Sequence, residues 1–308
     1  MSSGLIASID LGTNTARLLI GSCADGIIER RHISRKITRL GGGFCQHKGL
    51  SIDAEERTIT AIEDFAADLQ RFKVGRLKAV ATSAVRDAAN RESFCRQVKA
   101  RTGIQLEVIS GEEEGRLTLK GVLSGLDTRP GTLVVFDVGG GSTEYTIAQG
   151  DKILYTKSLP LGVVRLTEGK GSVEAMEDKI ERELDTLLLD LRSAGLTSIM
   201  PEATLVATAG TATTLAAIDL GLKDYDYRKV NNHTMSSTAI NKIFSTLLPL
   251  SNAQRLEIAG MEAGREDLII AGSLLTMKSM EKLGIETVKV SDFGLLEGVL
   301  LDLSESCG

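Results

Sequence analysis

The chain is predicted to fold as an α/β protein of two similar halves facing across a cleft, and three observations predict it. Its 308 residues, at roughly 150 per domain, suggest two domains, each large enough to bury a core without disulfides or structural metals. Short apolar runs alternate with amphipathic helical stretches along the chain. Ser8-Ile9-Asp10-Leu11-Gly12-Thr13-Asn14-Thr15 is echoed by Val135-Phe136-Asp137-Val138-Gly139-Gly140-Gly141-Ser142. Both read as a strand, an Asp, an apolar residue, a Gly and a small polar turn leading into a second strand, which is how a duplicated unit shows itself.

The elements follow in order. Leu5 to Ile9, the turn 10–15 and Ala16 to Gly21 form a hairpin. Ile27 to Thr38 extends beside it, with Arg30, Arg31, Arg35 and Lys36 read as a solvated strand face; Gly41-Gly42-Gly43 is a turn. Asp53 to Phe72 has helical spacing (Ile59, Ile62, Phe65, Ala66, Leu69), capped by Ser51 or Asp53. Strands are expected at 77–82 and 106–109, and helices at 91–102 and 112–123. A polar break at 124–131, containing Pro130, marks the domain boundary. Beyond it come strands 132–137, 143–148 and 153–158, a long helix 173–194, strand 205–207 and helix 212–220. A helical region from Ser236 to Leu283 is broken at Pro249 and around 260–264. Strand 287–290 and a helix from about 295 to 303 complete the order.

Composition narrows the function classes. Glycine is enriched (32) while proline is scarce (4), against averages of about 7% and about 5%; this excludes a Pro/Gly-rich disordered chain and asks what the backbone needs glycine for. Lys and Arg number 36 against 41 Asp and Glu, net −5, which argues against a general nucleic-acid binder. Cys23, Cys45, Cys95 and Cys307 are scattered without a C-x-x-C pair and read as free thiols of a cytoplasmic protein. Ser2, Ser3 and Gly4 lead straight into a strand with no signal peptide, and no run approaches the roughly 18 apolar residues of a membrane span.

Several motifs carry chemistry. Successive glycines at 139–141 can take positive φ and bring amide N–H groups close to an anion; the hydroxyls of Ser142 and Thr143 add donors, and Asp137 at the strand end offers a hard oxygen for Mg²⁺. The same residues also suit a plain bulge or tight hairpin. In the first turn Thr13, Asn14 and Thr15 are donors beside Asp10; the alternative is an ordinary hairpin with Asn14 left-handed. At Ala207 to Thr214 a strand turns at Gly210 into a helix whose N-terminus suits an anion, or is simply a capped turn. In Ser110 to Arg116, Ser110 caps a helix, Glu113 completes a capping box and Glu112 complements the dipole. Glu114 is surplus to the cap and free to orient and deprotonate a water beside bound phosphate. Arg86 suits phosphate through its fork, or pairs with Asp87 or another surface acid.

Taken in order these motifs resemble the exopolyphosphatase/guanosine pentaphosphate phosphohydrolase (Ppx/GppA) family of actin-like ATPases. The stretches are 7–15, 81–88, 108–116, 137–144, Leu159-Pro160-Leu161-Gly162-Val163-Val164-Arg165-Leu166, 209–211 and 291–298, which span nearly the whole chain. The resemblance implies two duplicated actin-like (ribonuclease H-like, ASKHA) domains: 1–124 with the C-terminal helix at about 295–308, and 125–294. It implies hydrolysis of terminal phosphoanhydrides of inorganic polyphosphate or pppGpp, with Mg²⁺. Glu114 matches the family's catalytic glutamate. Gly12, Thr13, Asn14, Thr15, Ser83, Arg86, Gly139, Gly140, Gly141, Ser142, Thr143, Glu144, Gly210 and Thr211 form the expected phosphate-binding set, and Asp10 and Asp137 the metal set. Many members continue into a helical region with a His-Asp motif; this chain stops soon after Leu303 and has only His32, His47 and His233, so the short two-domain form is expected. A homodimer is the base-rate expectation, with no nucleic-acid or membrane partner. Two other readings stay open: an actin-like kinase passing phosphoryl from ATP to a small acceptor, and a non-catalytic sensor of polyphosphate or (p)ppGpp.

Overall fold

The computed structural model describes residues 4–43, 49–129 and 131–306; Ser2, Ser3, Cys45, His47, Pro130 and Cys307 lie outside them. The chain divides into two compact units, Met1–Ser124 with Phe293–Gly308, and Gly125–Asp292.

Unit 1 contains β1 (Ile6–Leu11), β2 (Thr15–Ala24), β3 (Ile27–Ile37), α1 (Ile52–Arg71), β4 (Arg76–Ala81), α2 (Ser83–Arg86), α3 (Arg91–Thr102), β5 (Leu106–Val108) and α4 (Gly111–Gly125). Its sheet runs β3-β2-β1-β4-β5, antiparallel through the β1–β2–β3 meander and parallel from β1 to β4 to β5. β1 is buried along its whole length, as a central strand covered on both faces must be. Ala7, Ile9 and Leu11 pack with Ile59, Ile62 and Phe65 of α1 and Phe94 and Val98 of α3. Ile6 and Leu19 face the last helix of the chain through Leu296 and Leu300. Ser51 caps α1 by accepting the Ala54 N–H at 3.3 Å.

Unit 2 contains β6 (Thr132–Val138), β7 (Thr143–Gln149), β8 (Lys152–Leu159), α5 (Val163–Gly169), α6 (Val173–Ser193), β9 (Thr204–Thr208), α7 (Ala209–Asp219), α8 (Tyr227–Val230), β10 (Thr234–Ser236), α9 (Ser237–Leu247), α10 (Asn252–Leu256), α11 (Ile269–Leu283) and β11 (Thr287–Val290). The sheet order is β10-β11-β9-β6-β7-β8. Read from β8, it repeats unit 1 strand for strand: an antiparallel meander, then two parallel strands, with β10 added at the edge. The echo persists in register. Asp10 opposes Arg17 across β1–β2 as Asp137 opposes Glu144 across β6–β7, and both turns close with a 3.0 Å bond, Gly12 N–H to Thr15 O and Gly139 N–H to Ser142 O. One core, built from Val134, Phe136, Tyr145, Leu184, Leu215, Leu274 and their neighbours, holds this sheet to its helices.

Three local expectations are corrected. Arg30 is not on a solvated face: its side chain is 10% exposed, pairs with Glu297 at 2.8 Å and lies 3.9 Å over the Phe293 ring. Arg31 and Lys36 on the same strand are exposed. Ser110 does accept the Glu113 N–H at 3.1 Å, but the Glu113 carboxylate takes two 2.7 Å bonds from Arg116 instead of returning to the cap; a guanidinium fork one turn away outcompetes a single backbone N–H. None of the glycines of either Asp-x-Gly turn, nor Asn14, has positive φ. Cys23 and Cys95 are free thiols, and among the described residues no helix is long and apolar enough to cross a membrane.

The last helix, α12 (Leu295–Glu305), belongs to unit 1 and fixes α4. A Cβ on Gly298 would collide with the Leu117 carbonyl, and one on Gly121 with that of Gly294, so these two glycines let the helix backbones touch. Asp302 then accepts from Lys78 and from Arg116, each at 2.9 Å. Burial raises the Asp302 carboxyl, but the hydrogen bonds and charges of Lys78 and Arg116 outweigh it, leaving the group below the ordinary range. Glu113 is lowered chiefly by its bonds from Arg116. A depressed carboxyl stabilises above its unfolded value, about pH 4, and its contribution fades as pH falls through the folded value. Asp302→Asn is therefore expected to cost about 1–2 kcal/mol at pH 7. In urea titrations the gap from the unmodified protein should narrow as pH falls below about 4; a gap that stays constant with pH would contradict the ion-pair account.

Candidate active site

In unit 1, β1 carries Asp10 to the strand end on the α4/α12 face, since alternate strand residues share a face. Arg17 donates to Asp10 Oδ2 from Nε at 3.1 Å and Nη2 at 2.7 Å. Thr13 and Asn14 are buried in the turn. The segment after β3 clasps them: Thr38 and Arg39 N–H groups bond the Asn14 carbonyl, and Gly41 N–H bonds that of Thr13 at 2.8 Å. Asn14 is 5% exposed, yet neither its Nδ2 nor its Oδ1 has a hydrogen-bond partner. Buried amides are nearly always satisfied, so an unpartnered one in this turn suits a polar ligand.

Beside this turn β4 leads through Thr82 into the single-turn α2. Ser83 is buried, and Arg86 reaches across to the first turn of α4. Its Nη1 donates to Glu114 Oε2 at 2.9 Å and to Ile109 O at 3.0 Å. Arg86 and Glu114, 21% and 8% exposed at the side chain, are thus brought together; the expected alternative partner, Asp87, bonds through its backbone N–H to Ser83 O. The pair fixes the orientation of the one glutamate of the triplet that is buried.

In unit 2 the glycine loop is braced from behind by α5. Val163 N–H bonds Gly139 O at 3.0 Å, Val164 N–H bonds Gly140 O at 2.9 Å, and Arg165 adds its own N–H to Gly140 O and its Nε to Gly141 O at 3.0 Å. A Cβ on Gly162 would collide with the Gly140–Gly141 peptide. In a trans peptide the N–H points opposite to the C=O, and no peptide among those described is cis. Holding three successive carbonyls toward α5 therefore turns the Gly140, Gly141 and Ser142 N–H groups the other way, together. Amides turned to one side in this way suit an anion. The expected hydroxyl donors are directed inward: Ser142 Oγ donates to Glu144 Oε1 at 2.7 Å and Thr143 Oγ1 to Leu161 O. Glu144, 1% exposed, lies beside Asp137, 8% exposed, as its cross-strand partner.

The third turn is Thr208 to Thr211. No side chain caps α7, and Ala209 holds φ +66°, a left-handed strain of order 1–3 kcal/mol of the kind that gathers at functional sites. Thr211 is buried. The Arg265 guanidinium occupies the space where a Gly210 Cβ would stand and is ion-paired with Glu262 at 3.6 Å.

Sequence reasoning assigned no role to Arg17, Ser158, Gly162, Arg165 or Arg265. Arg17 was within reach: extending the echo by two residues sets it against Glu144. Gly162 and Arg165 stand in a quoted motif, but their bonds to the loop are tertiary. Arg265 carries no local signal.

Comparison with known proteins agrees over the full length. The model of the Ppx/GppA phosphatase family matches residues 20–307. Exopolyphosphatase 2 of Mycobacterium tuberculosis is 31% identical, covering 97% of this chain and 98% of its own. A crystal structure of the Aquifex aeolicus Ppx/GppA family member superimposes with a TM-score of 0.80 at 34% identity, covering 99% of both chains. An exopolyphosphatase structure from Cytophaga hutchinsonii gives a TM-score of 0.89 at 24% identity and supports the fold. The two sheets with their shared strand order are actin-like α/β domains, and the chain belongs to the Ppx/GppA phosphatase family.

Proposed function

We propose that this phosphatase-family chain hydrolyses terminal phosphoanhydride bonds, releasing orthophosphate from inorganic polyphosphate, converting pppGpp to ppGpp, or both. The observation that carries the reading is the braced loop at 139–142, whose three aligned amides suit phosphate oxygens without any basic surface, in keeping with the net charge of −5. In this reading Glu114 is the general base that orients and deprotonates the attacking water. Arg86, which holds Glu114 in unit 1, neutralises phosphate charge. Asn14 supplies the unsatisfied amide. Such catalysis is mainly positioning and electrostatics.

Mg²⁺ fits the acidic pair Asp137 and Glu144: two hard oxygen donors side by side on adjacent strands. Among the described residues no group of three or more His, Cys, Asp or Glu forms an all-protein cage. Mg²⁺ needs none, because it is ordinarily held by one or two carboxylates together with water and phosphate. Asp10 suits it less well, since Arg17 already takes its Oδ2. When bound, the ion would neutralise phosphate oxygens as charge moves to the leaving group.

The test is phosphate release measured side by side on short polyphosphate, long polyphosphate and pppGpp, with Mg²⁺ and with a chelator. Turnover is expected on at least one substrate, and none under chelation. Silence on all three would sink the hydrolase reading; release that survives chelation would sink the metal.

A further inference from the structure

The duplicated hairpins differ where the fold is most alike. In unit 2, strand register sets Thr208, Asp137, Glu144 and Ser158 side by side across β9, β6, β7 and β8. Register partners on adjacent strands share a face, so these four side chains form one polar row. The corresponding row of unit 1 is Val80, Asp10, Arg17 and Arg35. Arg17 stands where unit 2 has Glu144, and Arg35 where it has Ser158. Unit 1 thus balances its aspartate internally with a guanidinium. Unit 2 sets a second carboxylate beside it, and like charges directly opposite on a sheet destabilise it. The hydroxyls bear on this second acid. Ser142 Oγ and Ser158 Oγ both donate to the same oxygen, Glu144 Oε1, each at 2.7 Å. Ser142 reaches it along its own strand end and Ser158 from the neighbouring strand, so together they set the plane of a carboxylate that is 1% exposed.

We propose that Ser158 is a positioning residue: with Ser142 it holds Glu144 Oε1, so that Glu144 and Asp137 stand as a preformed cradle for a divalent cation before substrate arrives. This rests on the placement of the cation at that pair. A hydroxyl that orients a metal-binding carboxylate acts as outer-shell partners do, whose loss typically weakens metal affinity by about 10–100-fold.

The test reads binding, not turnover. Mn²⁺ serves as the probe, and its free fraction is followed by electron paramagnetic resonance on the full chain without substrate. Glu144→Gln should bind Mn²⁺ far more weakly than the unmodified protein. Ser158→Thr and Ser158→Val are nearly the same shape, suit a strand equally, and differ in the hydroxyl. The Thr form should stay near the unmodified protein, while the Val form, still folding cooperatively, loses about tenfold or more in affinity. Equal affinity of the Thr and Val forms overturns the role of Ser158 while leaving the cation site standing. Unchanged affinity in Glu144→Gln overturns the cation site itself, and no Mn²⁺ binding by the unmodified protein overturns the preformed cradle.

Discussion

Glu114→Gln is expected to lower phosphate release by about 10²–10⁴-fold, the span that a positioned general base contributes, with little change in KM or melting temperature. The substitution changes charge and basicity and almost nothing else. Gln keeps the shape, and its carbonyl oxygen can still accept from Arg86 Nη1 at the place Glu114 Oε2 now occupies. Arg86 also keeps its bond to Ile109 O, so removing the negative charge does not strand the guanidinium. Glu114→Ala differs, because it removes the acceptor and leaves Arg86 less satisfied; a loss of about 1.5–3 kcal/mol follows for a charged hydrogen bond. Gln thus reports on chemistry, and Ala on chemistry plus folding. Release by Glu114→Gln within a few-fold of the unmodified protein would remove Glu114 as the base and favour its neighbours Glu112 and Glu113. They are poorer candidates on position: Glu113 is held by Arg116, and both are less buried than Glu114.

The hairpins, the long helices and the echo were legible because each is written in local spacing: an apolar run in β1, 3.6-residue periodicity in α1 and α6, and Asp-x-Gly at the two turns. The turn residues Gly12 to Thr15, Glu114, Arg86 and the loop at 139–144 stand out as candidates for the same reason. What escaped depends on partners far away in the chain. α5 is seven residues long and shows no face of its own; its register is set by carbonyls some twenty residues earlier. Ser158 becomes more than one polar residue in a strand only once β7 and β8 are in register. The capping box at Ser110 was misjudged because Arg116 lies one turn on and binds the carboxylate in two places, which a local rule does not weigh. Of the two uses read for glycine at 139–141, positive φ and close approach, the positive φ is absent. A glycine outside the loop also has no room for a side chain: Gly162 presses on the Gly140–Gly141 peptide from behind.

Gly162→Ala is accordingly expected to strike the loop directly. Its Cβ would fall on the Gly140–Gly141 peptide itself, and backbone cannot rotate away as a side-chain end can. Either α5 moves back or the loop moves forward. In both cases the bonds from Val163, Val164 and Arg165 to the loop carbonyls lengthen together, and the three amides lose their common direction. A shift near 1 Å in a positioning element can cost about 10²-fold in rate, so kcat/KM should fall by about that factor or more. Overpacking of this kind typically costs about 1–3 kcal/mol in stability. Arg165→Ala separates the two effects. It removes the Nε bond to Gly141 O while leaving every backbone bond and the close approach intact, so it should weaken substrate binding by less and barely change the melting temperature. Phosphate release and thermal unfolding on both variants decide the point. If Gly162→Ala lowers the melting temperature while kcat/KM holds near the unmodified value, α5 supports the fold but does not aim the loop. If kcat/KM falls in both variants, further in Gly162→Ala, the loop's amides owe their direction to the helix behind them.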